Sequence, residues 1–402
     1  MTAAPQSPPC HFVRRFRHDE KLWSGQFLTD GARVFIQDQS FAKSGDEYCN
    51  RGYIWDIQTG DMVYSGSIDP RGCSVNCDYY IPEVADADPI HRVYKVGSND
   101  PVLEYEGRIW FDAAPHLAVL NRLRGLDADG FVRHKHSKLY DVVSSKVVCE
   151  LTFIPDSFRI LRLSDDGTRV LTRTQSANEI SVWNIVAQKR IAHLAPSHER
   201  SIKGHLDEIK TALFLPGRND RVLTITAPRV NSEGLDPMAA IIWDVETAEP
   251  IAQILCGGDR TANPSPHSDA CDICHDFAFS QDGDWFAALR ADGYTGPTES
   301  IMRVFDTRTG DEAAQFEVGF MQQRIAGAPN APYVAATSFE SPLVRIFNIA
   351  CKREVAHCAA PDFMSDTPAM DVAFAPASPD GQFVLTTHEG GDACLWRMPH
   401  WV

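Results

Sequence analysis

Seven short, β-branched-rich segments of this chain end on an aromatic residue, and in six of them Asp or Asn follows directly. They close at Trp55-Asp56, Tyr140-Asp141, Trp183-Asn184, Trp243-Asp244, Phe305-Asp306, Phe347-Asn348 and Trp396-Arg397, separated by 85, 43, 60, 62, 42 and 49 residues. The fullest copy opens at Gly204-His205 and runs through Ile209 to Phe214 to a turn at Pro216-Gly217. It continues through Arg221 to Thr226 and closes with Ala239 to Thr247. Short segments of this composition, punctuated by turn residues, predict antiparallel strands. Self-similarity at such a period points to one supersecondary unit repeated many times.

Gly-His before the first strand and Trp-Asp at the end of the third resembles the WD-repeat family of β-propellers. First-strand signals support seven copies. Leu22 and Phe27 lead to Asp30-Gly31, Phe158 to Leu161 reach Asp166-Gly167, Asp276 to Ser280 reach Asp282-Gly283, and Asp371 to Ala375 reach Asp380-Gly381. Glycine after aspartate supplies the positive φ of a tight hairpin. Arg108 to Phe111 and Arg324 to Gly327 supply weaker first strands for the second and sixth units. The last repeat stops one strand short, while His11 to Phe16 form a strand without a partner; pairing the two removes unprotected edges. The expectation is an all-β, seven-bladed WD-repeat propeller of four-stranded antiparallel blades, closed by the N-terminal strand on the last blade. Residues 1–10 form a flexible lead, and 11–402 form one domain.

Turns after first and third strands are short. Longer connections, at about 37–52, 68–107, 194–204, 228–238, 257–272 and 289–299, fall on the opposite rim. Loops beyond roughly 12–15 residues are usually functional or disordered, so binding surface is expected there, the largest insertion being 68–107. The alternative is that insertions gather where they do least harm.

The 402 residues carry a formal charge of −16, which argues against a general phosphate-backbone binder. No run reaches the roughly 18 apolar residues of a membrane span, and Met1 to Pro9 lack the layout of a secretory signal. Eleven cysteines without such a signal read as free thiols in cytosol or nucleus. No cofactor is expected. Cys271-Asp272-Ile273-Cys274-His275 spells a haem-attachment motif, but attachment requires export. Cys256, His267, Cys271 and Cys274 form an irregularly spaced zinc candidate. His388-Glu389-Gly390-Gly391-Asp392 lacks the second histidine of a metalloprotease, and phosphate-loop and Gly-x-Ser-x-Gly motifs are absent.

The family resemblance implies more. In WD-repeat propellers the residue after the first apolar position of each first strand lines the channel mouth, which here gives Trp23, Gly107, Arg159, Lys210, His275, Gln323 and Met370. Arg159, Lys210 and protonated His275 would form a cationic mouth with Trp23 as an aromatic anchor, suited to an acidic or phosphorylated peptide. Pairing of Arg159 and Lys210 with Asp207 and Glu208 is the competing reading. Phe305-Asp306-Thr307-Arg308 is similar to the tetrapeptide by which some WD-repeat substrate receptors engage cullin-RING ubiquitin ligases, against an ordinary turn. The expected function is a non-catalytic scaffold that binds a protein partner within a larger complex. A ligase substrate receptor comes second, and a propeller enzyme or metal protein third.

Overall fold

The computed structural model describes residues 7–18, 21–28, 30–41, 48–74, 78–82, 90–111, 114, 116–126, 132–155, 158–174, 179–194, 209–226, 229–231, 234–236, 239–255, 273–291, 299–320, 322–338, 341–359, 367–376 and 382–399. The fold is an all-β propeller of antiparallel blades, but it has eight blades where the repeat count predicts seven. Among the described residues, six sheets have four strands and a seven-stranded sheet holds two further blades.

The extra blade is the stretch expected as a rim insertion at 68–107. Tyr79–Pro82, Ile90–Lys95 and Pro101–Glu106 pair in sequence as an antiparallel sheet. Its innermost strand is the continuation of Met62–Cys73, the outermost strand of the preceding blade, through Ile68↔Pro82 and Cys73↔Tyr80. One strand thus serves two blades, and it runs through Asp69-Pro70-Arg71-Gly72, residues whose composition reads as a turn. The third-strand aromatic is Tyr94, which stacks on Tyr80 with ring centroids 5.6 Å apart and divides the 85-residue gap into 39 and 46. Lys95 stands where the other blades place Asp or Asn. The turn is closed instead by the backbone, Ser98 N donating to Lys95 O at 2.9 Å, with Gly97 at φ 82°.

Elsewhere the residue after the aromatic caps the next turn. Asp56 accepts from Thr59 N at 2.7 Å, Asp244 from Glu246 N and Thr247 N, and Asp141 from Val143 N. Asn184 and Asn348 do the same for Ala187 N and Cys351 N. Any short side chain with an acceptor oxygen serves, so Asp and Asn interchange. Arg397 breaks the pattern because the strand paired beyond it comes from the N-terminus, so there is no turn to cap.

The aromatic itself dictates a second position. Trp183, Trp243 and Trp396 donate their indole N–H to Thr172, Thr224 and Thr386 at 2.8, 2.8 and 3.0 Å. Where the ring is Phe305 or Phe347, the corresponding second-strand residue, two beyond the one paired with the ring, is Ala288 or Ala336. A buried N–H needs an acceptor and a phenyl ring does not. In the first blade Ile36 occupies this position, and Trp55 donates to His18 Nε2 at 3.1 Å.

Contacts divide the chain into two compact units. The first comprises 1–65, 225–242 and 251–402. Its innermost strands Ile273–Phe279, Gln322–Gly327, Ala369–Phe374 and Leu22–Phe27 pack side by side. Between its blades lie apolar clusters such as Ala287, Met302, Phe316, Val334 and Phe347, or Phe16, Leu22, Val34, Leu385 and Leu395. His11–Arg17 runs antiparallel to Asp392–Arg397 and becomes the fourth strand of the last blade, with Arg15 paired to Asp392. Of the lead expected as flexible, residues 7–10 are tied down. Cys10 N donates to His357 O at 2.7 Å, His357 N to Pro8 O at 3.2 Å, and the Ser7 hydroxyl reaches Glu354 and His357.

The second unit comprises 66–224 and 243–250. Its cores gather Tyr79, Ile81, Val93, Ile109 and Leu120, and Leu117, Leu139, Leu163, Val170 and Trp183. Adjacent blades are also tied by polar contacts: Arg173 Nη1 donates to Ile209 O at 2.9 Å, and Gly217 N to Asp165 at 2.9 Å.

The other expected loops fare differently. At 37–52 the strands Arg33–Phe41 and Tyr48–Asp56 stay paired out to Phe41↔Tyr48, and 228–238 contains a small hairpin of Arg229–Asn231 with Gly234–Asp236. Apart from their edges, 194–204, 257–272 and 289–299 lie outside the described residues.

Two substitutions test this account by chemical denaturation. Thr224→Val, which leaves the Trp243 N–H buried and unpaired, is expected to cost about 1–3 kcal/mol, part of it recovered on adding Trp243→Phe. A Cβ at Gly327 would fall on the Phe279 carbonyl oxygen and within 2.8 Å of the Trp285 ring. Gly327→Ala must push two blades apart and is expected to cost about 1–3 kcal/mol; unchanged stability would refute the close approach.

Candidate functional site

Innermost strands carry the residues singled out for binding, and their register is broken by β-bulges. Trp23 falls between the pairs Leu22↔Asp38 and Ser24↔Gln37, and His275 between Cys274↔Arg290 and Asp276↔Leu289. Met370 falls between Ala369↔His388 and Asp371↔Thr387, and Gln323 in the gap between Gln322↔Ser338 and Ile325↔Ala336. A bulged residue has no cross-strand partner, and the inserted residue re-aims its neighbours. Counted from the aromatic anchor, equivalent places on the second strands are therefore faced by Ser24, Asp276 and Asp371. Arg324 takes the matching place in its blade, its N–H donating to Thr337 Oγ1 at 3.2 Å.

In the second unit Arg159 holds this place without displacement, opposite Arg173, its bulge lying between Ile160 and Arg162. Arg108, not the neighbouring Gly107, faces Asn121, and it is exposed. Lys210 lies in the strand Ile209–Leu215. The side chains of Arg159, Lys210, His275 and Gln323 are outside the described residues. Trp23 is 44% exposed, whereas Met370 is buried.

Sequence reasoning missed Asp276, Arg324 and Asp371, which lie on the consecutive innermost strands of the sixth, seventh and eighth blades. Asp276 Oδ2 accepts from Ile325 N of the next blade at 2.8 Å, and its other oxygen lies 3.5 Å from Arg324 Nη1. Asp371 repeats the arrangement, accepting from Gly25 N at 3.1 Å and from Val372 N at 2.9 Å. Gly25 permits this approach because a Cβ there would lie 2.8 Å from Thr387 Cγ2 and 2.9 Å from Leu385 Cδ2. Each carboxylate thus stitches its blade to the following one.

Burial pushes both carboxyls up, Asp371 to about 6, opposed by the backbone N–H bonds and by the charge of Arg324. Both carboxylates are committed to backbone, while the Arg324 side chain is 42% exposed. Arg324 therefore presents guanidinium donors outward while Asp276 holds it from behind, a geometry suited to a carboxylate or phosphate acceptor.

Other motifs have structural employment. His388 is fully buried, with its Nε2 2.9 Å from Thr386 Oγ1 in a chain that ends on Trp396. Desolvation lowers its pKa to about 4. In Phe305-Asp306-Thr307-Arg308, Arg308 is drawn back onto Asp306 at 2.7 Å and Thr307 donates to Gly283 O, so the segment is a capped turn. Among the described residues no three His, Cys, Asp or Glu side chains converge to hold a metal. Cys256, His267 and Cys271 lie outside those residues, and Cys274 is in a strand opposite Arg290.

No protein-family model and no curated protein matches this sequence. Solved structures do match. Sqt1 of Saccharomyces cerevisiae superposes with a TM-score of 0.59 at 10% identity, covering 98% of this chain and 100% of that one. Chaetomium thermophilum Sqt1, bound to the N-terminus of the ribosomal protein L10, gives 0.60 at 13% identity, covering 96% and 100%. At such identities the likeness establishes the fold alone.

Two buried groups titrate in opposite senses. Asp371 binds its proton more tightly folded than unfolded, so its contribution is full below about pH 4 and is lost as pH rises through about 6. His388 is held neutral, so its contribution is present above about pH 6.5 and is lost as pH falls through about 4. Asp371→Asn should therefore exceed the wild type in stability at pH 8 by up to about 3 kcal/mol, and match it near pH 4. Denaturant midpoints across that range decide the matter; a gap independent of pH would mean that Asp371 is not the titrating group.

Proposed function

We propose that this chain is a non-catalytic WD-repeat scaffold of the cytosol or nucleus, which holds a protein partner within a larger complex. The partner lies as an extended acidic or phosphorylated segment across the innermost strands, at the end where the longer connections gather. The observation that carries this reading is Arg324, a half-exposed guanidinium fixed from behind by Asp276. Trp23, exposed on the innermost strand of the first blade, supplies apolar contact of the kind that anchors interfaces. In a chain of net charge −16, a cation held at this position favours an acidic partner. The Chaetomium propeller, which carries a protein N-terminus, supports peptide capture as a use of this fold.

The test is affinity isolation from the native cell with the tagged chain and with a Trp23→Ala, Arg324→Glu variant. Loss of the principal partner by about tenfold or more, with unchanged circular dichroism, is expected. Full retention would remove this surface as the site.

A further inference from the structure

Three buried thiols meet where the N-terminal segment crosses from the seventh blade to the eighth: Cys10, Cys358 and Cys394. Cys358 ends the strand Arg353–Cys358, and Cys394 lies within Asp392–Arg397. Before it becomes the outer strand of the last blade, the N-terminal segment makes a parallel bridge, Pro9↔His357, secured by Cys10 N to His357 O at 2.7 Å and His357 N to Pro8 O at 3.2 Å. One step further along the register, Cys10 stands opposite Cys358. Successive side chains alternate across a strand, so both thiols point away from Pro9 and His357 and towards the same apolar core. The Cys10 thiol lies close enough to Cys358 to add to the upward push that burial gives the Cys358 thiol. Neighbouring strands lie about 4.8 Å apart, inside the Cα window of about 4.4–6.8 Å within which a disulfide closes without moving backbone.

We propose that Cys10 and Cys358 form a reversible disulfide that staples the N-terminal segment to the seventh blade under oxidising conditions. With a peroxide as oxidant, one thiolate sulfur attacks the O–O bond, takes up one oxygen as a sulfenic acid and releases hydroxide, protonated to water. The second thiol then attacks that sulfur, forming the S–S bond and releasing the oxygen as a second water. Two thiols lose two electrons and two protons, and the peroxide is reduced to two waters. Burial disfavours the thiolate of Cys358, which makes the pair slow to react while the segment is seated. Its oxidation therefore reports on how often the segment lifts. Cys394 belongs to the same apolar cluster, but its strand partners are Arg15 and Thr386, so it has no register position opposite Cys10 or Cys358. Once formed, the bond replaces a backbone tether of a few hydrogen bonds with a covalent link between residues far apart in the chain.

The full-length protein is titrated with hydrogen peroxide, remaining thiols are alkylated, and peptides are mapped without reduction. A Cys10–Cys358 linked peptide that disappears with dithiothreitol is expected, with a melting temperature raised by several degrees in the oxidised protein. Cys394→Ser should leave the linkage intact and Cys10→Ser should abolish it. Exposed Cys351 serves as the internal standard for oxidant dose. If Cys10 and Cys358 stay reduced after prolonged exposure to excess peroxide, long after Cys351 is fully consumed, or if the bond joins Cys394 instead, the proposal is wrong. Mapping of the wild type alone decides this, even should a serine variant fail to fold.

Discussion

A blade of four strands has two apolar faces and no second layer of its own, so burial must come from the blades on either side. The aromatic at the end of each third strand meets that demand. A buried Trp or Phe removes about 150–250 Å² from water, a gross gain of about 4–6 kcal/mol before the ordering cost. Everything else in a blade adjusts to that ring. Its N–H, when present, calls for an acceptor, threonine on the second strand at Thr172, Thr224 and Thr386 and His18 in the first blade. A phenyl ring instead permits alanine, as at Ala288 and Ala336.

Apolar packing joins blades without specifying their phase, and polar groups do the rest. Asp276 and Asp371 reach the backbone of the following blade, as Asp165 and Arg173 do in the second unit. Burying a carboxylate is costly, and the raised affinity of Asp371 for its proton measures that cost. His388 leans the other way over nearly the same pH range. Between about pH 4 and 6.5 the contributions of these two groups therefore run in opposite directions.

The strands that lock the blades together also bear the candidate site. Arg324 pairs with the carboxylate that ties the sixth blade to the seventh, so the guanidinium is positioned by the fold and needs no separate support. At the seam between the seventh and eighth blades the N-terminal segment is fastened by backbone hydrogen bonds and by thiols lying within disulfide reach. Both features sit where neighbouring blades exchange contacts, the places where one residue acts on two sheets.

The blade type, the antiparallel pairing and the joining of the N-terminal strand to the last sheet were legible in the sequence. Strand alternation, turn glycines and aromatic anchors are local properties, and local chemistry leaves a residue-level trace. The Asp or Asn after each ring was visible as a pattern, but its turn-capping role came from the structure, and Arg397 could depart from the pattern because no turn follows it. The eighth blade was not legible. Its anchor, Tyr94, is followed by Lys95, and its first strand continues from the blade before through Asp69-Pro70-Arg71-Gly72, residues that read as a turn, so 68–107 read as a loop. Nor was the register of the innermost strands: a β-bulge inserts one residue, moving the inward position from His275 to Asp276 and from Met370 to Asp371. Bulges answer to the curvature and packing of the assembled sheets, which no window of sequence contains, and so only the tertiary structure could decide which charges face one another.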